Sequence, residues 1–346
     1  MASRTAASRN RPWWAGLDYE DLLDVRLCDL GLVVEGTALQ GRIQRLYREL
    51  AKAGQRFRPH VWLSTSWFCP DGVPGFGVPF FLAHPRLARI EHRHMLEVEG
   101  GSYDWCMKLL RHETGHAIDN AYRLHWRKRW REAFGAFSKP YSRTYQPRPR
   151  SRNYVVNLDY WYAQSHPAED WAECFAVWLQ PGSQWRKRYA GWPAKRKLET
   201  VDELMAETGP APARVTSRQR VDSLPRLQLT LREYYARKQD AYAPDGRGEL
   251  DAQLLRVFST DPGYRGRATA ASFLVKHRQG LRNQVAAATG QYRYVVDQAL
   301  KEMIAGCKRQ RLRLTKSDRP TEVAASALLT SITMSFLHGR KREFWR

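Results

Sequence analysis

The spacing of apolar residues predicts one helix and then two strands near the start of the chain. Within 21–53, apolar residues recur at helical intervals, most regularly over 39–50, and this period predicts a helix. Residues 60–68 are rich in β-branched and aromatic side chains, which predicts a strand. After a turn-rich stretch, residues 78–83 predict a second short strand, and Pro79 places it at a sheet edge because proline has no N–H to donate.

The remainder of the chain carries helical patterns only. One or two helices are predicted within 103–137, and another within 167–179 is ended by Pro181-Gly182. A Pro- and Ala-rich stretch that begins at Thr208 predicts a linker. Beyond it the predicted helices are 225–242, 249–258, 267–286, 291–308 and 320–337.

These elements predict an α+β fold for the first part of the chain and an all-α fold for the second. The predicted boundaries are a basic disordered tail at 1–19, an α+β domain at 20–207, a linker at 208–225, and a basic all-α domain at 226–346.

The composition is that of a globular protein with a large basic surplus. Of the 346 residues, 43% are hydrophobic and 27% are charged, and the formal net charge is +22. Residues 211–346 carry 26 Lys and Arg against 12 Asp and Glu. Such a surplus favours an acidic partner, nucleic acid included, so this region is the predicted surface for one. No recognised DNA- or RNA-binding motif accompanies it.

Three kinds of segment that the sequence lacks bear on the expected cellular location of the protein. No apolar run reaches the ~18–20 residues that a membrane span needs, so we expect no membrane association. The basic N-terminus has no apolar stretch behind it, so we expect no secretory signal. The five cysteines are widely spaced without a Cys-x-x-Cys pair, which predicts neither a disulfide framework nor a cysteine zinc finger. These features favour the cytoplasm.

The first candidate for chemistry is His112-Glu113-Thr114-Gly115-His116. On a helix, residues four apart share a face, so both imidazoles can reach one metal ion. Zinc takes about four ligands, at ~2.0–2.1 Å from nitrogen, and this spacing supplies two of them. Glu113 falls beside the open position, where it can take a proton from water and pass it to a leaving amine. The same spacing also arises by chance between surface or packing histidines, so a third ligand decides.

Gly115 lies inside this predicted helix, where it costs up to ~1 kcal/mol relative to alanine. That cost indicates the close approach of another segment, which the sequence does not identify.

The third ligand is predicted within 167–179. Glu169 and Glu173 are four residues apart on one helix face beside apolar residues, and two carboxylates there repel each other unless a cation lies between them. One glutamate would bind the metal, and the other would accept the N–H of a ligand histidine and fix its tautomer. The alternative is a solvated acidic face.

Two further polar residues lie near these motifs. Asp119, seven residues after His112, shares the histidine face, and we expect it to support a ligand rather than bind the metal, with surface exposure as the alternative. His166, three residues before Glu169, is the nearest candidate for a fourth protein ligand, but we expect it to cap the helix or contact the substrate.

Residues 112–119 and 162–176 together resemble the gluzincins, the zincin metallopeptidases whose third metal ligand is a glutamate. In particular they resemble the bacterial "putative zinc-binding metallopeptidases", which share features with the catalytic domain of anthrax lethal factor. The resemblance covers about residues 20–205. It implies a zincin-like domain in which a small twisted sheet accompanies an active-site helix and a glutamate helix.

The resemblance also implies roles for single residues. The first glutamate of Glu-x-x-x-Glu is the ligand in that family, which makes Glu169 the ligand and Glu173 its support. In the lethal factor-like group a tyrosine seven residues before the ligand stabilises the oxyanion, and Tyr162 stands at that position. Tyr162 also belongs to an aromatic cluster at 160–162 that would serve equally well as core.

The leading hypothesis is therefore a zinc-dependent metallopeptidase that hydrolyses an amide bond in a peptide or protein. His112, His116 and Glu169 would hold Zn²⁺, Glu113 would activate water, and Tyr162 would assist. The alternative is a basic nucleic-acid- or partner-binding protein whose zinc site is structural or vestigial.

Overall fold

The structure is a computed structural model, and it describes residues 12–141, 148, 150–158, 161–242 and 250–338. The chain divides into two compact units. Unit 1 contains the residues up to 92 together with 98–237, and unit 2 contains 93–97 and most residues from 238 on. The described part of each unit is built mainly from helices and has one pair of short strands, in keeping with the mixed architecture that the sequence predicts.

The elements that begin in the described part of unit 1 are α1 (Tyr19–Leu23), α2 (Ala38–Lys52), β1 (His60–Ser64), β2 (Gly75–Pro79), α3 (Pro85–Met95), α4 (Tyr103–Tyr122), α5 (Lys128–Phe134), α6 (Pro167–Leu179), α7 (Trp185–Arg188), α8 (Ala194–Thr208) and α9 (Leu231–Ala241). Those of unit 2 are α10 (Leu250–Leu254), β3 (Phe258–Ser259), α11 (Ala270–Lys276), α12 (Arg278–Thr289), α13 (Arg293–Arg309), β4 (Arg313–Leu314) and α14 (Asp318–His338). Short 3-10 helices lie at Trp13–Gly16, Leu27–Leu30, Phe80–Ala83, Leu124–Trp126, Tyr162–Gln164, Leu224–Arg226 and Pro262–Tyr264.

The strands of unit 1 pair in parallel, with His60 opposite Gly75 and Ser64 opposite Pro79. The predicted second strand is displaced: β2 begins earlier than expected, and Phe80–Ala83 is a 3-10 helix. Glycine explains the early start, because a Cβ at Gly75 would collide with the backbone oxygen of His60. Gly75, which locally predicts a turn, is thus the residue that allows β1 and β2 to pair this closely.

The central packing of unit 1 is the contact between α4 and α6. The Ser102 hydroxyl caps α4 by accepting a hydrogen bond from the Trp105 N–H at 3.3 Å. Where α6 crosses α4, a Cβ added to Gly115 would lie 2.8 Å from the Ala172 Cα. The Trp171 indole donates to the Gly115 carbonyl at 2.7 Å. The segment whose close approach Gly115 predicts is therefore α6, and the contact joins the two candidate motifs.

A buried ion pair ties α4 to α2. The Arg111 guanidinium donates to both carboxylate oxygens of Glu49, from Nε to Oε2 at 2.8 Å and from Nη2 to Oε1 at 3.1 Å. Both side chains are buried. Losing one partner of such a pair costs about 3–5 kcal/mol because it leaves an uncompensated buried charge. The pair thus holds the turn of α4 that precedes His112.

The predicted tail at 1–19 is folded in its second half. Residues 1–11 lie outside the described residues, whereas Trp14 is fully buried and donates to the Leu30 carbonyl at 2.8 Å. Asp18 caps α1 by accepting from the Asp21 N–H. Burial of one large indole stabilises a segment whose average composition suggests disorder.

The segment predicted as a linker, 208–225, runs along β1 instead. Side chains of β1 hydrogen-bond to its backbone oxygens: His60 to Gln219, Trp62 to Val221 and Ser64 to Asp222, at 2.9, 2.8 and 2.7 Å. The division between the units falls after Arg237. Local composition could not reveal this, because the partners lie more than 150 positions away in the chain.

The all-α prediction for the second part of the chain is wrong in one respect, because unit 2 contains a pair of short strands. β3 and β4 pair antiparallel, with Phe258 opposite Leu314, and strands of two residues are too short to leave an alternating pattern. The predicted helix at 267–286 is divided at His277 into α11 and α12. None of the helices in the described part of the chain combines the length and hydropathy that crossing a membrane requires.

Candidate metal centre

Three side-chain atoms from α4 and α6 converge on one point. The His112 Nε2 lies 3.1 Å from the Glu169 Oε2, and the His116 Nε2 lies 3.2 Å from the His112 Nε2 and 3.3 Å from the same Glu169 oxygen. Ligands about 2.0–2.1 Å from a tetrahedrally coordinated ion lie about 3.3–3.4 Å from one another. The three separations therefore fit donors around one small cation, and these residues form the candidate metal site of the described chain.

The chemistry of the donors supports the same interpretation. The His112 Nδ1 lies 2.9 Å from the Glu173 Oε1, and a carboxylate can only accept, so this nitrogen carries a proton. The Nε2 of a neutral His112 then directs a lone pair at the Glu169 carboxylate, which is another acceptor. Because two acceptors at hydrogen-bond distance repel each other, a positively charged species must lie between them.

The pKa values of these side chains show the same preference for positive charge. Burial favours the neutral ring of His112, but the hydrogen bonds and charges of Glu169 and Glu173 outweigh it and raise the pKa of His112 to about 10. The pKa of His116 is also raised, since the Glu169 charge outweighs burial. The pKa of Glu169 lies well below its usual range, because the histidines outweigh the effect of burial on this carboxyl. The centre thus selects positive charge.

Glu113 is buried beside this centre with part of its carboxylate unused. Its Oε2 has no hydrogen-bond partner among the residues that the structure describes, and its side chain is 6% exposed. Burial raises the pKa of Glu113, and the charges of His112 and His116 oppose that rise. Since an unsatisfied buried carboxylate oxygen is costly, it is typical of a group kept for a proton or a water molecule.

Glu173 accepts hydrogen bonds at both of its oxygens. Besides His112, its Oε1 accepts from the Asn157 Nδ2 at 2.9 Å, and its Oε2 accepts from the backbone N–H groups of Asn157 and Leu158 at 3.3 and 2.9 Å. The side chain is fully buried. With both oxygens satisfied, Glu173 is fixed in position and in turn fixes the His112 ring.

Two tyrosines border the centre. Tyr162 is half-buried in the 3-10 helix before α6, and its ring centroid lies 5.6 Å from that of His112. The Tyr141 hydroxyl donates to the Glu169 Oε1 at 2.7 Å, and its ring stacks on His166 with the centroids 4.0 Å apart.

Residues 91–185 match the family model described as "Putative zinc-binding metallo-peptidase". The matched stretch includes all three converging donors, Glu113 and Glu173. No curated protein and no solved structure matched the chain.

Two of the sequence-predicted residues act away from the metal position. Asp119 accepts from the backbone N–H of His125 at 2.7 Å and pairs with its Nδ1 at 3.0 Å, so in the structure its carboxylate supports His125. The His166 Nδ1 accepts from the Ala168 N–H, and its Nε2 donates to the Lys139 carbonyl at 2.5 Å. His166 is therefore a helix cap, as one of the two expected roles requires, and both of its ring nitrogens have protein partners.

No motif or spacing in the sequence indicated that Tyr141 or Asn157 belongs to this site. Tyr141 begins a Pro- and Arg-rich stretch, and Asn157 lies 16 positions before Glu173 in a segment without regular structure. No periodicity connects either residue to α6. An asparagine before an aromatic cluster is the one local feature that could have drawn attention to Asn157.

Proposed function

We propose that this chain is a zinc-dependent peptidase that hydrolyses an amide bond in a peptide or protein. The convergence of His112 Nε2, His116 Nε2 and Glu169 Oε2 carries the proposal. The match of 91–185 to a metallopeptidase family supports the same metal and reaction class. The proposal also has a more specific part, namely that the site is a gluzincin centre of the lethal factor-like kind in a zincin-like domain. This part rests on the order of the donors in the sequence.

When bound, zinc supplies Lewis acidity, which polarises a carbonyl and allows water to lose a proton near neutral pH. Glu113 accepts that proton through its unpartnered Oε2 and passes it to the amine that leaves when the C–N bond breaks. The raised pKa of Glu113 suits this exchange, because a carboxylate of ordinary base strength would accept the proton from water less readily.

Tyr162 is proposed to donate a hydrogen bond to the oxygen of the tetrahedral intermediate. Its position against the His112 ring supports this role. A donor aimed at developing negative charge is worth several kcal/mol in such a site.

A purely structural zinc site is less well supported. Structural sites are normally closed by four protein ligands, whereas three donor side chains converge within the described residues. Residues 211–346 remain a proposed surface for an acidic partner on the strength of their charge.

The test compares the full-length chain with Glu113→Gln. Zinc content is measured by elemental analysis, and cleavage of a peptide library is followed by mass spectrometry. We expect both proteins to hold one zinc and the variant to cleave about 10²–10⁴-fold more slowly, which is the usual contribution of a general base.

Glu132→Gln is the matched control, because that carboxylate is 63% exposed and pairs weakly with Lys128. It should cleave like the wild type. A wild-type chain without zinc, or equal cleavage by Glu113→Gln, would reject the proposed function. Salt-sensitive nucleic-acid binding that ignores Glu113 would favour the alternative.

A further inference from the structure

The two carboxylate oxygens of Glu169 have different partners. Oε2 faces the His112 and His116 Nε2 atoms at 3.1 and 3.3 Å. Oε1 accepts the Tyr141 hydroxyl hydrogen bond at 2.7 Å. The carboxylate is thus oriented from both sides, with one oxygen assigned to the metal position and the other to a protein donor.

The Tyr141 hydroxyl is held there by contacts that do not involve Glu169. Its ring lies nearly parallel to that of His166, with 12° between the planes and the centroids 4.0 Å apart. His166 is in turn fixed by the Ala168 N–H and the Lys139 carbonyl. These contacts between Lys139, Tyr141 and His166 therefore fix the first turn of α6, where Glu169 lies.

The chemical consequence concerns how Glu169 can bind an ion. A glutamate carboxylate can offer one oxygen or both to a cation. A catalytic zinc centre needs a coordination position that no protein atom fills. A donor on Oε1 competes with coordination through that oxygen, and partners of this kind change metal affinity about 10–100-fold when removed.

We propose that Tyr141 is a positioning residue for the third metal ligand. It holds Oε1 so that Glu169 presents Oε2 alone and one coordination position stays open to water. This inference rests on the metal centre of the proposed function, but it depends neither on Tyr162 nor on peptide hydrolysis.

The test uses the full-length wild type and Tyr141→Phe, which removes only the hydroxyl and keeps the ring stacked on His166. Tyr47→Phe is the matched control, because its hydroxyl donates an equally short bond, 2.7 Å to the Pro59 carbonyl, elsewhere in unit 1. Zinc affinity is measured by competition with a chromophoric chelator at fixed pH. The visible spectrum of the cobalt-substituted proteins reports coordination number, because absorption weakens as ligands are added.

We expect Tyr141→Phe to bind zinc about 10–100-fold more weakly. Its cobalt spectrum should be weaker than that of the wild type, because both oxygens of Glu169 become available. Tyr47→Phe should match the wild type in both measurements. Thermal unfolding of the metal-free proteins checks that Tyr141→Phe is folded, which we expect because residue 141 is 56% exposed.

Three results would overturn the inference. One is wild-type zinc affinity together with a wild-type cobalt spectrum in Tyr141→Phe, and another is an equal loss of affinity in Tyr47→Phe. A wild-type chain that binds no zinc would reject both this inference and the proposed function. A chain that binds zinc but cleaves no peptide would reject the peptidase alone, and the zinc and cobalt measurements would still decide the role of Tyr141.

Discussion

Gly115 of α4 and Ala172 of α6 are in contact through their backbones, since a Cβ at position 115 would lie only 2.8 Å from the Ala172 Cα. Residue 115 lies between His112 and His116, and residue 172 lies between Glu169 and Glu173. This contact therefore sets how far the glutamates stand from the imidazoles.

Gly115→Ala should separate α4 from α6. Because backbone atoms cannot yield as a flexible side chain would, we expect a loss of about 1–3 kcal/mol in the free energy of unfolding, partly offset by up to ~1 kcal/mol of helix propensity. Zinc affinity should fall as well. Urea unfolding and chelator competition measure the two effects.

Gly41→Ala on α2 is the matched control for Gly115→Ala. A Cβ at residue 41 meets nothing within 4 Å, so this substitution should be neutral or stabilising by up to ~1 kcal/mol. If Gly115→Ala were equally benign, the contact with Ala172 would not be what sets the spacing of the helices.

Glu173→Gln should weaken zinc binding about 10–100-fold without removing a ligand, because the His112 Nδ1 loses its charged partner. Asn157→Ala should produce a smaller loss, since the backbone N–H groups of Asn157 and Leu158 still hold Glu173. Chelator competition at fixed pH measures both. A larger loss of zinc affinity in Asn157→Ala than in Glu173→Gln would contradict this explanation.

Tyr162→Phe should lower kcat about 10²–10³-fold and leave KM and zinc affinity near the wild-type values, if its hydroxyl acts only on the oxyanion. Steady-state kinetics on a peptide identified in the library screen measures this. A change in KM alone, or an unchanged kcat, would assign Tyr162 to packing against His112.

In unit 2, Asp297 should stabilise the fold in a pH-dependent way. Its side chain is 2% exposed and accepts from Arg278 at 2.9 Å and from Arg282 at 3.3 Å. Burial raises the pKa of Asp297, but Arg278, Lys301 and Arg282 outweigh burial and leave it below the ordinary value. A lowered native pKa contributes stability that is fully present above the unfolded-state value of about 3.9 and is lost as the pH falls through the native value.

Asp297→Asn should therefore cost about 1.5–3 kcal/mol near pH 7, the range for hydrogen bonds to charged groups. The difference from the wild type should shrink as the pH falls below about 4. Hydrogen exchange of amides in α13 localises the effect to unit 2. Glu132→Gln should change stability by less than ~1 kcal/mol, because its ion pair is exposed. A cost for Asp297→Asn that is independent of pH would contradict the electrostatic explanation.

The sequence was most informative where the candidate site depends on local helical spacing. The four-residue intervals of His112/His116 and Glu169/Glu173 place each pair on one face, which holds for any helix of that sequence. The bounds of α6 coincide with the predicted 167–179, because Pro167 and the cap at His166 mark its start. Gly115 also predicted a close contact with another segment, but the sequence did not identify that segment.

Local spacing was uninformative where the partner lies on a segment outside the two site helices. Tyr141 reaches Glu169 across 28 positions, and Asn157 reaches Glu173 across 16, both from segments without a period. Asp119 shares the histidine face by its spacing, yet it bonds to His125 because the chain turns back after α4. Backbone direction after a helix ends is set by tertiary packing, which no interval in the sequence records.

The amino-acid sequence by itself thus determined the types of donor atom and which of them share a helix face, because side-chain chemistry and the helical period are local properties. The tertiary structure alone decided the distance between the two faces and the hydrogen bonds that orient His112 and Glu169. Those depend on where α6 packs against α4, and hence on contacts between residues far apart in the chain.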